Sequence, residues 1–260
     1  MNCQDVVKHL EMLSPKNFAQ DWDNVGLLAG RYDKEVGRIF VALDATDEIV
    51  DEAIRLDCDM LITHHPMIFK GIKKVSDDDF IGRRIMKLLR YDISYYAMHT
   101  NFDVMGMADA AADELNLLDR DVLEVTYEDD ISREGIGRIG NLKEPMTLLA
   151  CSKYVKDIFH IKNVRMYGDA MKKVKKIAIC PGSGKSMIES AINGGCDVLI
   201  TGDIDHHTGI DAVSMGISII DASHYGLEKI FIPYIRDYLR RECQDVEIIC
   251  AEFKAPYVDV

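Results

Sequence analysis

The chain has 260 residues, 44 acidic against 31 basic side chains, and a formal net charge of −13. That balance excludes a nucleic-acid surface, which needs a basic patch to neutralise phosphates. The length suggests about two domains on a prior of roughly 150 residues each. Seven cysteines, odd in number and without a C-x-x-C pair, fall mostly inside apolar runs. They read as reduced, buried thiols of a cytosolic protein. The N-terminus shows no basic segment followed by an apolar one, and no run approaches the ~20 apolar residues of a membrane span. A soluble, cytoplasmic protein without membrane partners is expected.

Short apolar, β-branched runs alternate with segments of helical period, the pattern of mostly parallel sheets flanked by helices. In chain order the first half reads as a strand at 37–43, a helix at 47–57, a strand at 59–63, a helix at 78–91, a strand at 93–97 and a helix at 107–116. Residues 119–139 are rich in charge and glycine and are read as the boundary between domains. The second half reads as strands near 175–180, 197–201 and 217–221, separated by helices near 185–194 and 207–215. A helix from Lys229 to Glu242 and a strand at 246–251 close the chain. If that strand returns to the first domain, the two interlock. The division is then 1–126 plus 235–260 for the first α/β domain and 127–234 for the second. Pro233 requires that the turn after Ser223 be either a separate helical piece or part of a kinked helix.

The halves are related by duplication. Residues 39–63 overlay 177–201 without a gap at an offset of 138, sharing Ile39/Ile177, Ala53/Ala191, Ile54/Ile192, Cys58/Cys196, Asp59/Asp197 and a closing Leu-Ile-Thr. The first copy runs into His64-His65, the second into Gly202-Asp203-Ile204-Asp205-His206-His207. The next strands end in His99-x3-Asp103 and His224-x3-Glu228. Ligands of open α/β sheets gather beyond the carboxyl ends of the strands, so metal-binding residue types leave the same edge of both halves. Adjacent histidines on extended backbone point to opposite faces. One ion therefore does not easily take both His64 and His65, whereas two ions could take one each. Asp103 could bridge such a pair, with His224 and Glu228 completing the shells. Such a mixed donor set suits zinc, manganese or iron.

Other residues admit weaker readings. His99 is either a ligand, a proton-transfer group or a plain hydrogen-bonding residue. His207 and Asp203 are candidates for orienting a ligand or the substrate; the alternative is that Asp203 or Asp205 caps the following helix. Cys180-Pro-Gly-Ser-Gly-Lys185-Ser186 imitates a phosphate loop, but Ile179 holds the place of its first glycine. Gly182, Gly184 and Lys185 still offer a glycine turn into a helix, where a substrate phosphate could sit.

Asp21-Trp22-Asp23-Asn24-Val25-Gly26-Leu27, Thr63-His64-His65-Pro66-Met67-Ile68-Phe69, His99-Thr100-Asn101-Phe102-Asp103, Thr201-Gly202-Asp203 and His224-x3-Glu228 together resemble the dinuclear metal-centre hexameric proteins labelled GTP cyclohydrolase 1 type 2 homologues. The resemblance runs in order over nearly the whole chain. It implies two interlocked α/β domains, two divalent ions per subunit held by His64, His65, Asp103, His224 and Glu228, and a toroidal homohexamer. The length matches the short form, which lacks an inserted domain; Ser223 stands where a small residue is usual. The expected activity is metal-dependent hydrolysis of a nucleotide-like substrate, with His99 as proton shuttle. The alternative is a non-catalytic metal-binding scaffold or interaction protein.

Overall fold

The computed structural model describes residues 1–258. The chain opens with helix α1 (Cys3–Leu13), whose first turn is capped by the Asn2 side chain accepting from the Asp5 N–H. Strands β1 (Gly26–Ala29) and β2 (Arg38–Ala42) follow, then α2 (Asp47–Arg55), β3 (Met60–Thr63), α3 (Phe80–Arg90), β4 (Ser94–Ala97) and the single turn α4 (Thr100–Phe102). β3 and β4 are buried at every position, as expected of strands covered on both faces. Thr46 and Asp79 cap α2 and α3 at the positions where the helical periodicity begins.

A five-residue π-turn, Asp103–Met107, leads into α5 (Ala108–Glu114), β5 (Leu118–Glu128), β6 (Arg133–Thr147), α6 (Leu148–Ile158), β7 (Arg165–Tyr167), β8 (Lys173–Ser183), α7 (Ile188–Asn193), β9 (Val198–Gly202), α8 (His206–Ser214), β10 (Ser218–Asp221) and α9 (His224–Glu228). The chain ends with α10 (Phe231–Glu242) and β11 (Glu247–Cys250). Pro233 lies in the first turn of α10, where its missing N–H costs nothing, so α9 is a separate piece.

Contacts divide the chain into two units. The first comprises Met1–Phe102 and Phe231–Phe253, with a five-stranded sheet in the order β1-β4-β3-β2-β11. The second comprises Asp103–Ile230 and the stretch from Lys254, with a six-stranded sheet in the order β5-β6-β8-β9-β10-β7. Pairings among β11, β2, β3 and β4, and among β8, β9 and β10, are parallel. The chain passes between the units: α5, which follows the first copy, buries Ala111, Ala112 and Leu115 in the second core, and α10, which follows the second copy, belongs to the first.

The first crossing therefore falls at Phe102/Asp103, inside helical backbone, and not within 119–139. Residues 254–258 likewise lie with the second unit. The charged stretch forms most of the β5–β6 antiparallel pair. β5 buries little of itself, so it carries no apolar alternation to announce it. The glycines of β6 serve close approach: a Cβ on Gly135 would stand 1.9 Å from the Glu124 carbonyl oxygen. The short strand β7 and helices α1 and α6 add to the elements read from the sequence.

The duplication extends to backbone detail. Ile39 pairs Met60 in the first sheet and Ile177 pairs Val198 in the second, both members shifted by 138. The Asp59 carboxylate accepts from the N–H groups of Gly37 and Arg38 at 2.8 and 2.9 Å; Asp197 does the same for Lys175 and Lys176 at 2.8 and 2.9 Å. Lys34 donates to the carbonyls of Asp59 and Asp92, and Lys172 to those of Asp197 and Gly216. Gly30 and Gly168, both left-handed, pass close against Ser94 and Ser218. In the second unit alternate residues of β8 serve opposite faces, Ile177 and Ile179 in one core, Ala178 and Cys180 in the other. All seven cysteines are unpaired, and all but Cys250 are buried. Among the described residues no helix is long and apolar enough to cross a membrane.

Candidate metal centre

In the first unit β3 ends at Thr63, and the next two residues are His64 and His65. Parallel pairing fixes where that end lies: the Met98 N–H donates to the Thr63 carbonyl as β4 leaves the sheet, and the His65 N–H donates to the Leu43 carbonyl beyond β2. Thr63 and Tyr95 hydroxyls both donate to the His65 carbonyl, at 2.8 and 3.1 Å. The Met67 N–H donates to the Tyr95 oxygen at 2.7 Å. Burial pushes the Tyr95 phenol up to about 12, so it stays a neutral donor.

His64 is wholly buried against Phe231 and Phe102, with ring centroids at 5.3 and 6.4 Å. Its Nδ1 is 2.8 Å from the Met98 carbonyl, which can only accept, so Nδ1 carries the proton and Nε2 the lone pair. His65 Nδ1 lies 2.7 Å from an Asp44 oxygen. His99 Nδ1 lies 2.9 Å from Asp23, whose carboxylate also accepts from the Thr100 N–H at 3.0 Å and hydroxyl at 2.5 Å. Burial alone would raise the Asp23 carboxyl, but the bonds from His99 and Thr100 more than offset it and hold the group at about 2. Each of His64, His65 and His99 offers a ring nitrogen, and the three lie within 4.8 Å of one another.

In the second unit β9 runs into Gly202 and Asp203, and β10 into Ser223 and α9. Both Asp203 and Ser223 adopt left-handed backbone, φ +58° and +60°. Gly202 passes so near this turn that a Cβ there would stand 2.4 Å from the His224 nitrogen. Asp221 accepts from the Ser223 N–H at 3.1 Å, and Ser223 caps α9 by accepting from the Gly226 N–H at 2.9 Å. The short helix is thereby aimed so that His224 and Glu228, at i and i+4, meet with Nε2 and Oε2 2.9 Å apart. Asp203 holds His224 Nδ1 at 2.8 Å. Glu228 is buried, and Gly182, φ +79°, leaves room for it: a Cβ there would be 2.4 Å from Oε1. Cys180 is buried beside this set; burial first, then the carboxylates of Asp103 and Glu228, push its thiol up.

The residues expected from the sequence thus fall into two sets, His64, His65 and His99 in the first unit and Asp103, His224 and Glu228 in the second. Asp203 holds His224, while Asp205 caps α8 by accepting from the Thr208 N–H at 3.0 Å. His207 is exposed at the start of α8, its ring 5.2 Å from that of His206. The Gly184 N–H, which the phosphate reading would use, donates to Thr201 at 2.9 Å, and Lys185 is exposed in a short 3-10 turn. Sequence reasoning assigned no role to Asp23 and Asp44; both lie in loops, before β1 and after β2, with no spacing rule to flag them.

The donor set fits a divalent cation. An imidazole ligand characteristically passes its other N–H to a carboxylate or carbonyl, which fixes tautomer and orientation. His64, His65, His99 and His224 are all tethered at Nδ1 in this manner. A buried His/Asp/Glu cluster with that anchoring can bind metal ions.

The model of the Duf34/NIF3 (NGG1p interacting factor 3) family matches residues 1–256. A GTP cyclohydrolase 1 type 2 homolog of Clostridium perfringens is 34% identical over 261 residues, covering 99% of each chain. One of Clostridium acetobutylicum is 36% identical over 230 residues, covering 88% of this chain and 85% of that one. A crystal structure of a Bacillus cereus protein related to NIF3 superposes with a TM-score of 0.94 at 26% identity, covering 100% of this chain and 99% of the other. With the family model matching nearly the whole chain and relatives at 34–36% identity covering most of it, this chain belongs to the Duf34/NIF3 family.

Proposed function

We propose that this protein is a metal-dependent hydrolase with a dinuclear centre, acting on a nucleotide-like substrate, in which His64, His65, Asp103, His224 and Glu228 hold the ions. The observation that carries the reading is the tethering of every candidate imidazole through Nδ1, which directs Nε2 outward as a donor. The curated relatives' label, GTP cyclohydrolase 1 type 2 homolog, supports the substrate class. Zinc, manganese and iron suit the donors. Two such ions would supply Lewis acidity and a water acidified toward neutrality.

The chain's own residues have separable tasks. Asp44 and Asp203 orient His65 and His224. Gly182 leaves the space in which Glu228 sits. His99 moves a proton: Asp23, ionised throughout the neutral range, holds Nδ1 and stabilises the imidazolium as it forms, leaving Nε2 to accept. The family likeness further supports a toroidal homohexamer.

Elemental analysis of protein purified without chelator or metal-affinity tag tests the reading, together with turnover of GTP. Two ions per chain are expected, and Glu228→Gln should lose metal and turnover together. No bound metal in the purified chain, or full turnover by a Glu228→Gln protein that holds one ion, would sink the two-ion scheme. Light scattering should return six times the 29.4 kDa chain mass.

A further inference from the structure

Beside the histidine trio of the first unit stands a pair of large, half-exposed aromatic side chains. Trp22, the single tryptophan of the chain, is 58% exposed, and Phe69 is 45% exposed. Their ring centroids are 5.6 Å apart at a tilt of 38°. His99 meets both rings near edge-on, at 6.0 Å and 74° for Trp22 and 6.1 Å and 66° for Phe69. The three rings make a corner, with two aromatic surfaces open to solvent and an imidazole at their junction.

The corner is rigid. The Gln20 N–H donates to the Thr100 hydroxyl at 2.9 Å, and the Asp23 N–H to the Gln20 carbonyl at 2.9 Å, so the turn carrying Trp22 is closed on itself and tied to α4. Asp23 is locked to His99 and Thr100, and the Asn24 amide donates to the Ile68 carbonyl at 2.5 Å, joining the Trp22 loop to the Phe69 loop. Holding two large rings half in water forgoes part of the gain that burying them would bring. A fold that ties the loops carrying them by six hydrogen bonds and leaves the rings half in water has preorganised a surface.

We propose that Trp22 and Phe69 form a stacking site for the planar heteroaromatic ring of the substrate, a nucleobase, which they hold at the rim of the histidine trio. The claim deepens the proposed function and rests on it for the location of the chemistry. Any base offers a π-face, so an aromatic side chain holds it by stacking whatever its identity. The edge-on imidazole of His99 faces the same corner, so a ring seated there has a proton carrier within reach of its own edge.

Because Trp22 is the only indole, its emission reports this corner alone. Metal-stripped and metal-loaded protein should be titrated with GMP and, separately, with ribose 5-phosphate, with excitation to the red of the purine absorption. Saturable quenching by GMP and none by ribose 5-phosphate is expected in both forms. Phe69→Ala should weaken the GMP response about tenfold or more, with circular dichroism confirming that the variant is folded. Trp22→Ala should do the same in equilibrium dialysis. Equal responses to the two compounds, unaltered GMP affinity in Phe69→Ala, or emission that follows protein concentration and ignores GMP would overturn the proposal; the last would mean that a second copy covers the rings. Quenching of the stripped protein does not depend on metal chemistry. Stacking without turnover would therefore refute the hydrolase reading and leave this site standing, and turnover without quenching would do the reverse.

Discussion

The two copies of the duplicated frame keep the same backbone and finish it differently. In both, an aspartate at the start of the second strand, Asp59 or Asp197, draws in two successive N–H groups from the start of the first strand, and a lysine, Lys34 or Lys172, bridges two carbonyls nearby. At the opposite strand ends the copies part. The first places two imidazoles immediately after Thr63. The second places a glycine and a left-handed aspartate after Thr201, and its imidazole arrives one strand later on a separate helical turn. Register-setting interactions lie at the amino ends of the strands, so the carboxyl ends were free to diverge in chemistry without disturbing the pairing.

Substitutions can sharpen or break this comparison. The largest effect is expected at the anchors: Asp44→Ala and Asp203→Ala should each weaken divalent-metal binding about 10- to 100-fold, read by competitive titration against a chromogenic chelator. A much smaller loss for Asp23→Ala would separate His99 from the ligands. Equal losses at all three would make His99 a ligand and sink its assignment as proton shuttle.

Asp59→Ala and Asp197→Ala should each destabilise by about 2 kcal/mol, because each strips the acceptor from two N–H groups at the amino end of an interior strand. Urea denaturation would show whether the costs match, and a clear inequality would mean that the clamps are not equivalent. Asp23 gives a pH signature. Its folded value of about 2 lies below the ordinary 3.8, so its contribution is present above about pH 4 and is lost as the pH falls through 2. Asp23→Asn should cost up to about 2 kcal/mol at neutral pH, a deficit that shrinks in acid. A deficit independent of pH would assign the loss to geometry alone.

The smallest contrast concerns the lysines. Lys34 is 6% exposed and Lys172 is half-buried. Lys34→Met should leave two carbonyls less well served in a buried setting and cost about 1–2 kcal/mol, whereas Lys172→Met should cost under about 1 kcal/mol. Thermal unfolding of the two variants distinguishes them.

The candidate site was legible in part because strands that pair in parallel are short, apolar and punctuated, so any polar residue at their ends stands out. His64, His65, His99 and His224 were conspicuous for that reason. Asp23 and Asp44 were not, since a carboxylate in a loop has a dozen ordinary explanations and only its distance to an imidazole gives it another. The glycine turn shows the converse. Gly182 and Gly184 suggested a phosphate cradle by spacing, but Glu228 and Thr201 occupy the space and the N–H that such a cradle would offer.

The amino-acid order by itself determined the duplicated α/β frame and which candidate metal-binding residue types leave its strand ends, because these follow from periodicity and from near-identical runs a constant distance apart. It did not determine where the chain crosses between units. α5 joins the second core through small apolar residues, Ala111 and Ala112, that any helix could carry, and β5 is too exposed to leave an alternating signature. Only the tertiary structure decided that crossing, the tethering of each imidazole to its carboxylate or carbonyl, and the half-exposed Trp22–Phe69 corner, since all three depend on residues brought together from distant loops.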